Sequence, residues 1–325
     1  MLIELVFVAL ITKIKICLFF FMNKNYFKEL RILDGGMGQE LHARGLVSKG
    51  TLWMTSAVLD EKYHNLIIDT HLNYISAGAE VITTATFSSR ILRMKQNKVD
   101  HLFEFANKKA CELALKAKEI SNKEVFIAGS IPAQFDTYKE DTRENKIIYD
   151  SFSKQINCII DFVDFIYLDV ISSGREIAIA TEIIEKFNKP ILVGIHLSKN
   201  GRLPSGEKIK EVINKYKSSS WAGVLSSCVS MEIAEGSINE LKIHDLPFGY
   251  KVNLWGNEEP LPIRKINIAK FNENAVNLNT IMGKRKIDDD IYKKLGQKFI
   301  DNGATILGGC CETSPKHTKI LSMLR

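Results

Sequence analysis

Two neighbouring cysteines follow a glycine pair near the end of this 325-residue chain, in the run Gly308-Gly309-Cys310-Cys311. A third cysteine, Cys228, ends another apolar segment. Three thiolates can hold zinc tetrahedrally with one position open, which is the arrangement of a catalytic site rather than a structural one. The glycines would let backbone and metal approach closely. The alternative is that Cys228 is a small buried apolar residue and that the adjacent pair is incidental.

Zinc held by three thiolates is a modest Lewis acid, better suited to holding a thiol than to ionising water. A free thiol has a pKa of about 8.5, and coordination removes its proton. The thiolate is a nucleophile at neutral pH. The cysteines therefore predict alkyl transfer to a substrate thiol. The other three, Cys17, Cys111 and Cys158, lie in an apolar leader or on predicted helices, and we interpret them as packing residues.

Eight short apolar runs, most rich in Val and Ile, alternate with amphipathic stretches from residue 31 onward. Such runs are typical of parallel strands that are buried on both faces. They are Arg31–Gly35, Glu80–Thr86, Val125–Ser130, Phe165–Ile171, Ile191–His196, Ala222–Cys228, Gly249–Leu254 and Ala304–Gly309. The pattern predicts an α/β fold, a single (β/α)8 TIM barrel, with an open doubly wound sheet as the alternative.

The active site of such a barrel lies at the C-terminal ends of its strands. The first strand ends at Asp34-Gly35, the second in a threonine-rich turn that includes Thr84, and the fourth near Asp169. Strands six and eight are separated by only one strand. We therefore expect Cys228 to meet the cysteines that follow strand eight across the mouth of the barrel.

Two segments stand apart from this pattern. Polar residues 258–288 predict an insertion after strand seven, on the catalytic side. Residues 1–21 form an apolar leader that lacks the marks of a signal peptide, and we interpret them as upstream sequence, with translation starting at Met22. A membrane anchor is the alternative, because the length is borderline for a span. Residues 22–325 are then the barrel domain.

Composition excludes several classes of protein. The formal charge is only +6, from 44 basic and 38 acidic residues, and the basic residues form no stripe, so we predict no nucleic-acid partner. Six cysteines in so long a chain, without the spacing of a disulfide scaffold, indicate reduced thiols and a cytoplasmic protein. A homo-oligomer is compatible with the sequence.

Taken together, these motifs resemble those of the homocysteine S-methyltransferases, from about residue 31 to the C-terminus. They are Asp34-Gly35-Gly36-Met37-Gly38, the threonine-rich end of strand two, Cys228 and the glycine–cysteine run. The resemblance implies a zinc-bound homocysteine thiolate that attacks a methyl group of a small donor to give methionine. It implies zinc ligands at Cys228, Cys310 and Cys311, and contacts to the amino-acid end of homocysteine from Asp34, Gly35 and Thr84. Without the resemblance, Asp34 could be a turn residue and Thr84 a plain strand residue.

Several positions depart from the family pattern. Asp169-Val170 stands where the family usually has Glu followed by Thr, Ser227 where it often has Asn, and Ser88 where one subtype has Tyr. The shorter carboxylate of Asp169 can still bind a substrate ammonium. A cationic methyl donor would need aromatic faces, and the candidates are Trp53, Phe87 and Trp255. The departures leave two alternatives: another thiol or selenol acceptor, or a non-catalytic zinc barrel that partners a separate corrinoid protein.

Overall fold

Eight parallel strands form one sheet in the computed structural model, which describes residues 25–242, 245–256 and 282–325. Each predicted strand is present at its predicted place. The strands are β1 Arg31–Ile32, β2 Val81–Thr83, β3 Phe126–Pro132, β4 Phe165–Ile171, β5 Ile191–Ile195, β6 Trp221–Val229, β7 Phe248–Val252 and β8 Ile306–Gly309.

The order of the strands closes the sheet into a barrel. Neighbours pair in the order β1-β8-β7-β6-β5-β4-β3-β2, all in parallel. The two ends of this series meet where Leu33 forms a parallel bridge with Val81. The backbone N–H of Asp34 also donates to the carbonyl of Val81 at 3.0 Å. The barrel prediction is therefore confirmed, and the open doubly wound alternative is wrong.

Successive side chains of each strand point alternately into the barrel and toward the helices, so the apolar residues form two cores. One core fills the inside of the barrel, with members from seven of the strands or their ends: Leu33, Val81, Ala128, Phe165, Tyr167, Leu192, Leu225 and Ile306. The other lies between the strands and the surrounding helices, where Tyr250 and Val252 of β7 pack. Inward positions at the C-terminal ends of the strands are polar instead, and they line the candidate site.

Helices follow most of the strands, as the amphipathic stretches predict. Ser173 caps the helix after β4 by accepting the N–H of Glu176 at 3.2 Å, and Pro315 occupies the first turn of the last helix. The described helices are α1 Met37–Ala43, α2 Thr55–Val58, α3 His64–Ser76, α4 Ile91–Gln96, α5 Phe103–Ser121, α6 Asn145–Ile159, α7 Gly174–Glu185, α8 Ile209–Tyr216, α9 Met231–Leu241, α10 Asp289–Asp301 and α11 Pro315–Ser322.

Two predictions fall on other parts of the chain. The apolar leader, residues 1–21, and most of the predicted insertion, at residues 258–281, lie outside the described residues. Among the residues that are described, none of the helices has the length and apolar character needed to cross a membrane.

The N-cap of α9 lies two residues beyond Cys228, so it helps to hold the end of β6. Ser230 is the N-cap, and its Oγ accepts the backbone N–H of Ile233 at 3.2 Å. We expect Ser230→Ala to lower the free energy of unfolding by about 1 kcal/mol, because that N–H loses its acceptor. Ser237→Ala in the same helix is the control and should change it by less than about 0.5 kcal/mol. Urea denaturation measures both, and equal losses would contradict the capping role.

Candidate metal centre and substrate pocket

One pocket at the C-terminal ends of the strands contains every site residue that the sequence predicts. The lining includes Cys228, Cys310, Cys311, Asp34, Gly35, Thr84, Asp169, Trp53, Phe87 and Trp255. These residues come from the ends of β1, β2, β4, β6, β7 and β8 or from the loops that follow. Closure of the barrel is what brings them together, since they span more than 250 positions of the chain.

The three cysteines form a compact cluster. Their Sγ atoms all lie within 4.8 Å of one another, and the Sγ atoms of Cys228 and Cys311 are 3.7 Å apart. Sulfur ligands about 2.3 Å from a tetrahedral zinc lie about 3.8 Å from each other. The spacing and the soft thiol donors therefore fit a zinc ion with three protein ligands. No other group of three His, Cys, Asp or Glu side chains among the described residues is placed to hold a metal.

A β-bulge turns Cys228 toward its partners. Ser227 pairs with Lys251 and Val229 with Val252, so Cys228 is the extra residue of the strand pair. Its φ is +51°, a left-handed conformation that is uncommon for a residue with a side chain. Bulges of this kind re-aim a side chain beside an active site. The bulge therefore directs the cysteine side chain toward the cluster. The left-handed backbone conformation of Cys228 costs about 1–3 kcal/mol.

Two polar side chains hold Cys228. The hydroxyl of Tyr138 lies 3.2 Å from its Sγ, and Asn253 Nδ2 donates to its carbonyl oxygen at 2.7 Å. Burial on its own would raise the pKa of the Cys228 thiol. Hydrogen bonds from Cys310, Cys311 and Tyr138 nevertheless lower this pKa well below its usual value. Cys228 is thus the thiol of the cluster that most readily becomes a thiolate.

The glycine pair before Cys310 is required by the packing of neighbouring residues, in addition to the close approach of backbone and metal. A Cβ on Gly309 would lie 2.1 Å from Thr313 Oγ1, in the turn that follows the cysteines. A Cβ on Gly308 would lie 3.1 Å from Cγ of Lys251 and 2.8 Å from Cβ of Leu33. The missing side chains therefore let the cysteine turn fold back on β8 and let the Lys251 chain pass over it.

Asp34 lies at the floor of the pocket, and both of its carboxylate oxygens accept hydrogen bonds. Its Oδ2 accepts the backbone N–H of Thr83 at 2.6 Å. Its Oδ1 accepts from Thr83 Oγ1 and from Lys251 Nζ, each at 2.8 Å. Only 1% of Asp34 is exposed, so this is a buried ion pair. Burial lowers the pKa of Lys251, but the carboxylates of Asp34 and Asp169 outweigh it and raise the pKa above its usual value.

The other predicted substrate residues are also held by neighbours. Thr84 Oγ1 accepts the backbone N–H of Ser130 at 3.0 Å, so its hydroxyl joins β2 to β3. Asp169 accepts from Ser130 Oγ at 2.9 Å and faces Ser227 Oγ at 3.4 Å. Burial raises the pKa of Asp169 to about 6, although Lys251 and Ser130 lower it in part. Asp169 thus titrates near neutral pH, unlike an ordinary aspartate.

We expect Asp169→Asn to stabilise the protein above pH 6. The folded-state pKa of about 6 exceeds the ordinary 3.8. The acid form is therefore favoured by folding, and the stability it contributes below about pH 4 is lost as pH rises through 6. Asparagine does not suffer this loss, so the variant should gain about 3 kcal/mol at pH 8, with the gain shrinking toward pH 4.

Thermal unfolding across this pH range measures the effect. Asp150→Asn is the matched control, because Asp150 is exposed and pairs with Lys146 one helical turn away. It should shift stability by less than about 0.5 kcal/mol at any pH. A gain for Asp169→Asn that does not depend on pH would contradict the assignment of the shifted carboxyl.

Aromatic rings and cations share the outer part of the pocket. Trp53 and Phe87 are partly exposed, and Trp255 is buried and packs with Met282 against Cys311. The guanidinium of Arg90 lies 5.7 Å from the centre of the Phe87 ring. Arg90 is itself buried, and it donates to the Ala133 carbonyl and to Thr137 Oγ1. The outer part of the pocket therefore combines aromatic faces with a positive charge.

Sequence reasoning did not identify Lys251, Tyr138, Thr83 or Asn253. Lys251 has a detectable signal, because a lysine in the middle of an apolar parallel strand needs a buried partner. Tyr138 lies in a loop, and nothing in its sequence context indicates that it reaches Cys228. Thr83 and Asn253 are polar residues at strand ends, which is where a barrel places its site.

The comparison with protein families shows to which family the chain belongs. Residues 31–324 match the family described as homocysteine S-methyltransferase. The chain belongs to the homocysteine S-methyltransferase family. The match covers the whole barrel, and it confirms the resemblance that the glycine–cysteine run and the Asp34 motif indicate.

Individual members of the homocysteine S-methyltransferase family are distant in sequence but similar over their full length. Homocysteine S-methyltransferase 1 of Saccharomyces cerevisiae is 24% identical over 308 residues, which cover 88% of this chain and 90% of the yeast protein. Selenocysteine Se-methyltransferase of Brassica oleracea var. italica is 24% identical over 329 residues, with coverage of 91% and 90%.

A solved structure shares the fold. The metallated form of the homocysteine methyltransferase MmuM from Escherichia coli superposes with a TM-score of 0.73 at 19% identity. The alignment covers 91% of this chain and 96% of MmuM. The barrel of this family member is therefore the same architecture.

Proposed function

We propose that this protein transfers a methyl group from a small methylated donor to the sulfur of homocysteine, with zinc held by Cys228, Cys310 and Cys311. The observation that carries the proposal is the cluster of three thiols in the pocket, in which the Sγ atoms of Cys228 and Cys311 have the 3.7 Å spacing of a tetrahedral site, in a chain of the homocysteine S-methyltransferase family. The zinc would supply activation of the acceptor thiol as a thiolate at neutral pH. A site of free thiols also agrees with a cytoplasmic protein.

The chain's own residues would bind and orient the two substrates. Asp34, Gly35, Thr84 and Asp169 line the space beside the cysteines, and the amino-acid end of the acceptor would lie in this space. Trp53, Phe87 and Trp255 would contact the methyl donor and exclude water from it. The guanidinium of Arg90 beside Phe87 favours a donor that carries a carboxylate as well as its methylated centre.

A panel of donors tests this function. Purified zinc-loaded protein is mixed with homocysteine and one donor at a time. The donors are a methyl sulfonium, a quaternary ammonium and a methyl corrinoid, and the methionine formed is measured by mass spectrometry. We expect methionine from at least one donor of the first two types. Zinc-loaded protein that forms no methionine with any small donor, yet binds a corrinoid protein, would support the non-catalytic alternative instead.

A selenol is the second candidate acceptor. The relative from Brassica oleracea named selenocysteine Se-methyltransferase is as similar to this chain as the yeast homocysteine enzyme, at 24% identity. A thiolate site for zinc also suits a selenolate, which is soft and ionises more readily than a thiol. Competition between equal concentrations of homocysteine and selenocysteine for one donor discriminates the two acceptors by the ratio of methylated products.

A further inference from the structure

Lys251 lies at the pocket floor, and neither the cysteine cluster nor the aromatic outer part of the pocket explains its role. It lies at an inward position of β7, because its neighbours Tyr250 and Val252 pack outward against the helices. Its side chain passes over Gly308 of β8 and reaches Asp34, which follows β1. It lines the same pocket as the three cysteines and is only 4% exposed.

The Lys251 ammonium donates fewer hydrogen bonds within the described residues than it has N–H groups. Its Nζ donates to Asp34 Oδ1 at 2.8 Å and to Thr83 Oγ1 at 3.2 Å. An ammonium has three N–H groups, and no acceptor among the described residues takes the third. The Tyr167 ring, 5.4 Å away, supplies only a weak contact to its face. A buried N–H of this kind is complementary to a carboxylate oxygen of a ligand in the pocket.

Asp34, in contrast, is already paired with a cation of the protein. Both of its oxygens already accept hydrogen bonds, and the ammonium of Lys251 occupies the position beside it. A substrate ammonium that approached Asp34 would meet the like charge of the buried Lys251, and the pair would have to share one carboxylate. Asp169 is the more accessible carboxylate, with 9% exposure against 1%.

We propose that Lys251 is the specificity residue that recognises the carboxylate of the acceptor thiol, with Asp34 acting as the group that positions Lys251. The inference rests on the proposed function, since it places the acceptor between the cysteines and the pocket floor. The acceptor class is then a short thiol with a carboxylate at its far end, of which homocysteine is one. An acceptor that keeps the thiol and the ammonium but lacks the carboxylate should bind poorly.

The test compares binding of homocysteine with that of 3-aminopropane-1-thiol, its analogue without the carboxylate. The protein is loaded with Co²⁺, and each thiol is titrated while the thiolate-to-cobalt absorption is followed, so that no methyl donor is needed. We expect the wild type to bind homocysteine at least about 10-fold more tightly than the analogue, the effect of a hydrogen bond between charged groups. In Lys251→Met this ratio should fall below about 3-fold.

Two further variants separate recognition from folding. Lys251→Met leaves Asp34 unpaired, so the double variant Asp34→Asn with Lys251→Met removes both charges and should show the same collapsed ratio. Lys189→Met is the matched control, because this half-buried lysine donates to the Val163 carbonyl at 2.7 Å away from the pocket, and it should keep the wild-type ratio.

The outcomes distinguish this inference from the function on which it rests. Spectral changes with both thiols and an unaltered ratio in the two Lys251 variants would overturn the role of Lys251 and leave the proposed function standing. A wild type that binds both thiols equally would do the same. If neither thiol alters the cobalt spectrum, the thiol-binding metal site itself is absent, and both proposals fail together.

Discussion

Replacing Cys310 with alanine should reduce bound zinc from about one equivalent per chain to less than about half and reduce methyl transfer more than about 100-fold. Changes to groups that only support metal ligands cost about 10–100-fold, so the loss of one of three ligands should cost more. Metal content after purification without chelator is measured by atomic emission, and methyl transfer by formation of methionine.

Cys158→Ala is the control for this experiment. Cys158 is a partly buried cysteine of α6 that packs against the core, remote from the cluster in the fold. Its removal should leave the metal content unchanged. A chelator should also lower the melting temperature of the wild type and of this control but not that of Cys310→Ala, because only a protein that binds metal is stabilised by it. Full zinc occupancy in Cys310→Ala would contradict the assignment of the ligands.

Asp34→Asn should lower the free energy of unfolding by about 3–5 kcal/mol, the usual cost of leaving one member of a buried ion pair without its partner. Lys251 is 4% exposed and has Asp34 as its only partner in a salt bridge among the described residues. Its charge would remain in the barrel with only the hydroxyl of Thr83 and the more distant carboxylate of Asp169 to compensate it. Denaturation in urea, followed by circular dichroism, measures the loss.

A double-mutant cycle isolates the pair. Asp34→Asn combined with Lys251→Met removes both charges, so the combined loss should be smaller than the sum of the two single losses by at least about 1.5 kcal/mol. Glu104→Gln with Lys108→Met is the matched control, because that pair is exposed on α5 and should couple by less than about 0.5 kcal/mol. Additive losses at Asp34 and Lys251 would show that the contact does not stabilise the fold.

The strand pattern was sufficient to predict the barrel. Runs such as Ile191–Ile195 are apolar at successive positions because both faces of a barrel strand are buried, one by the interior and one by the helices. Helix boundaries with a clear chemical signal were also predictable, as Ser173 and Pro315 show. The strand boundaries in the structure differ by a few residues from the predicted ones. A strand ends where its neighbour stops pairing with it, and a single sequence does not record that.

The sequence by itself determined the barrel, the three thiols at its strand ends and several of the side chains that line the pocket with them, because strand order in a closed barrel follows directly from chain order. Only the tertiary structure decided that Lys251 neutralises Asp34, that Tyr138 reaches Cys228 and that a bulge aims this cysteine at its partners. These contacts depend on strand register and on which inward residues meet across the barrel. Neither is encoded in the spacing of residues along one strand.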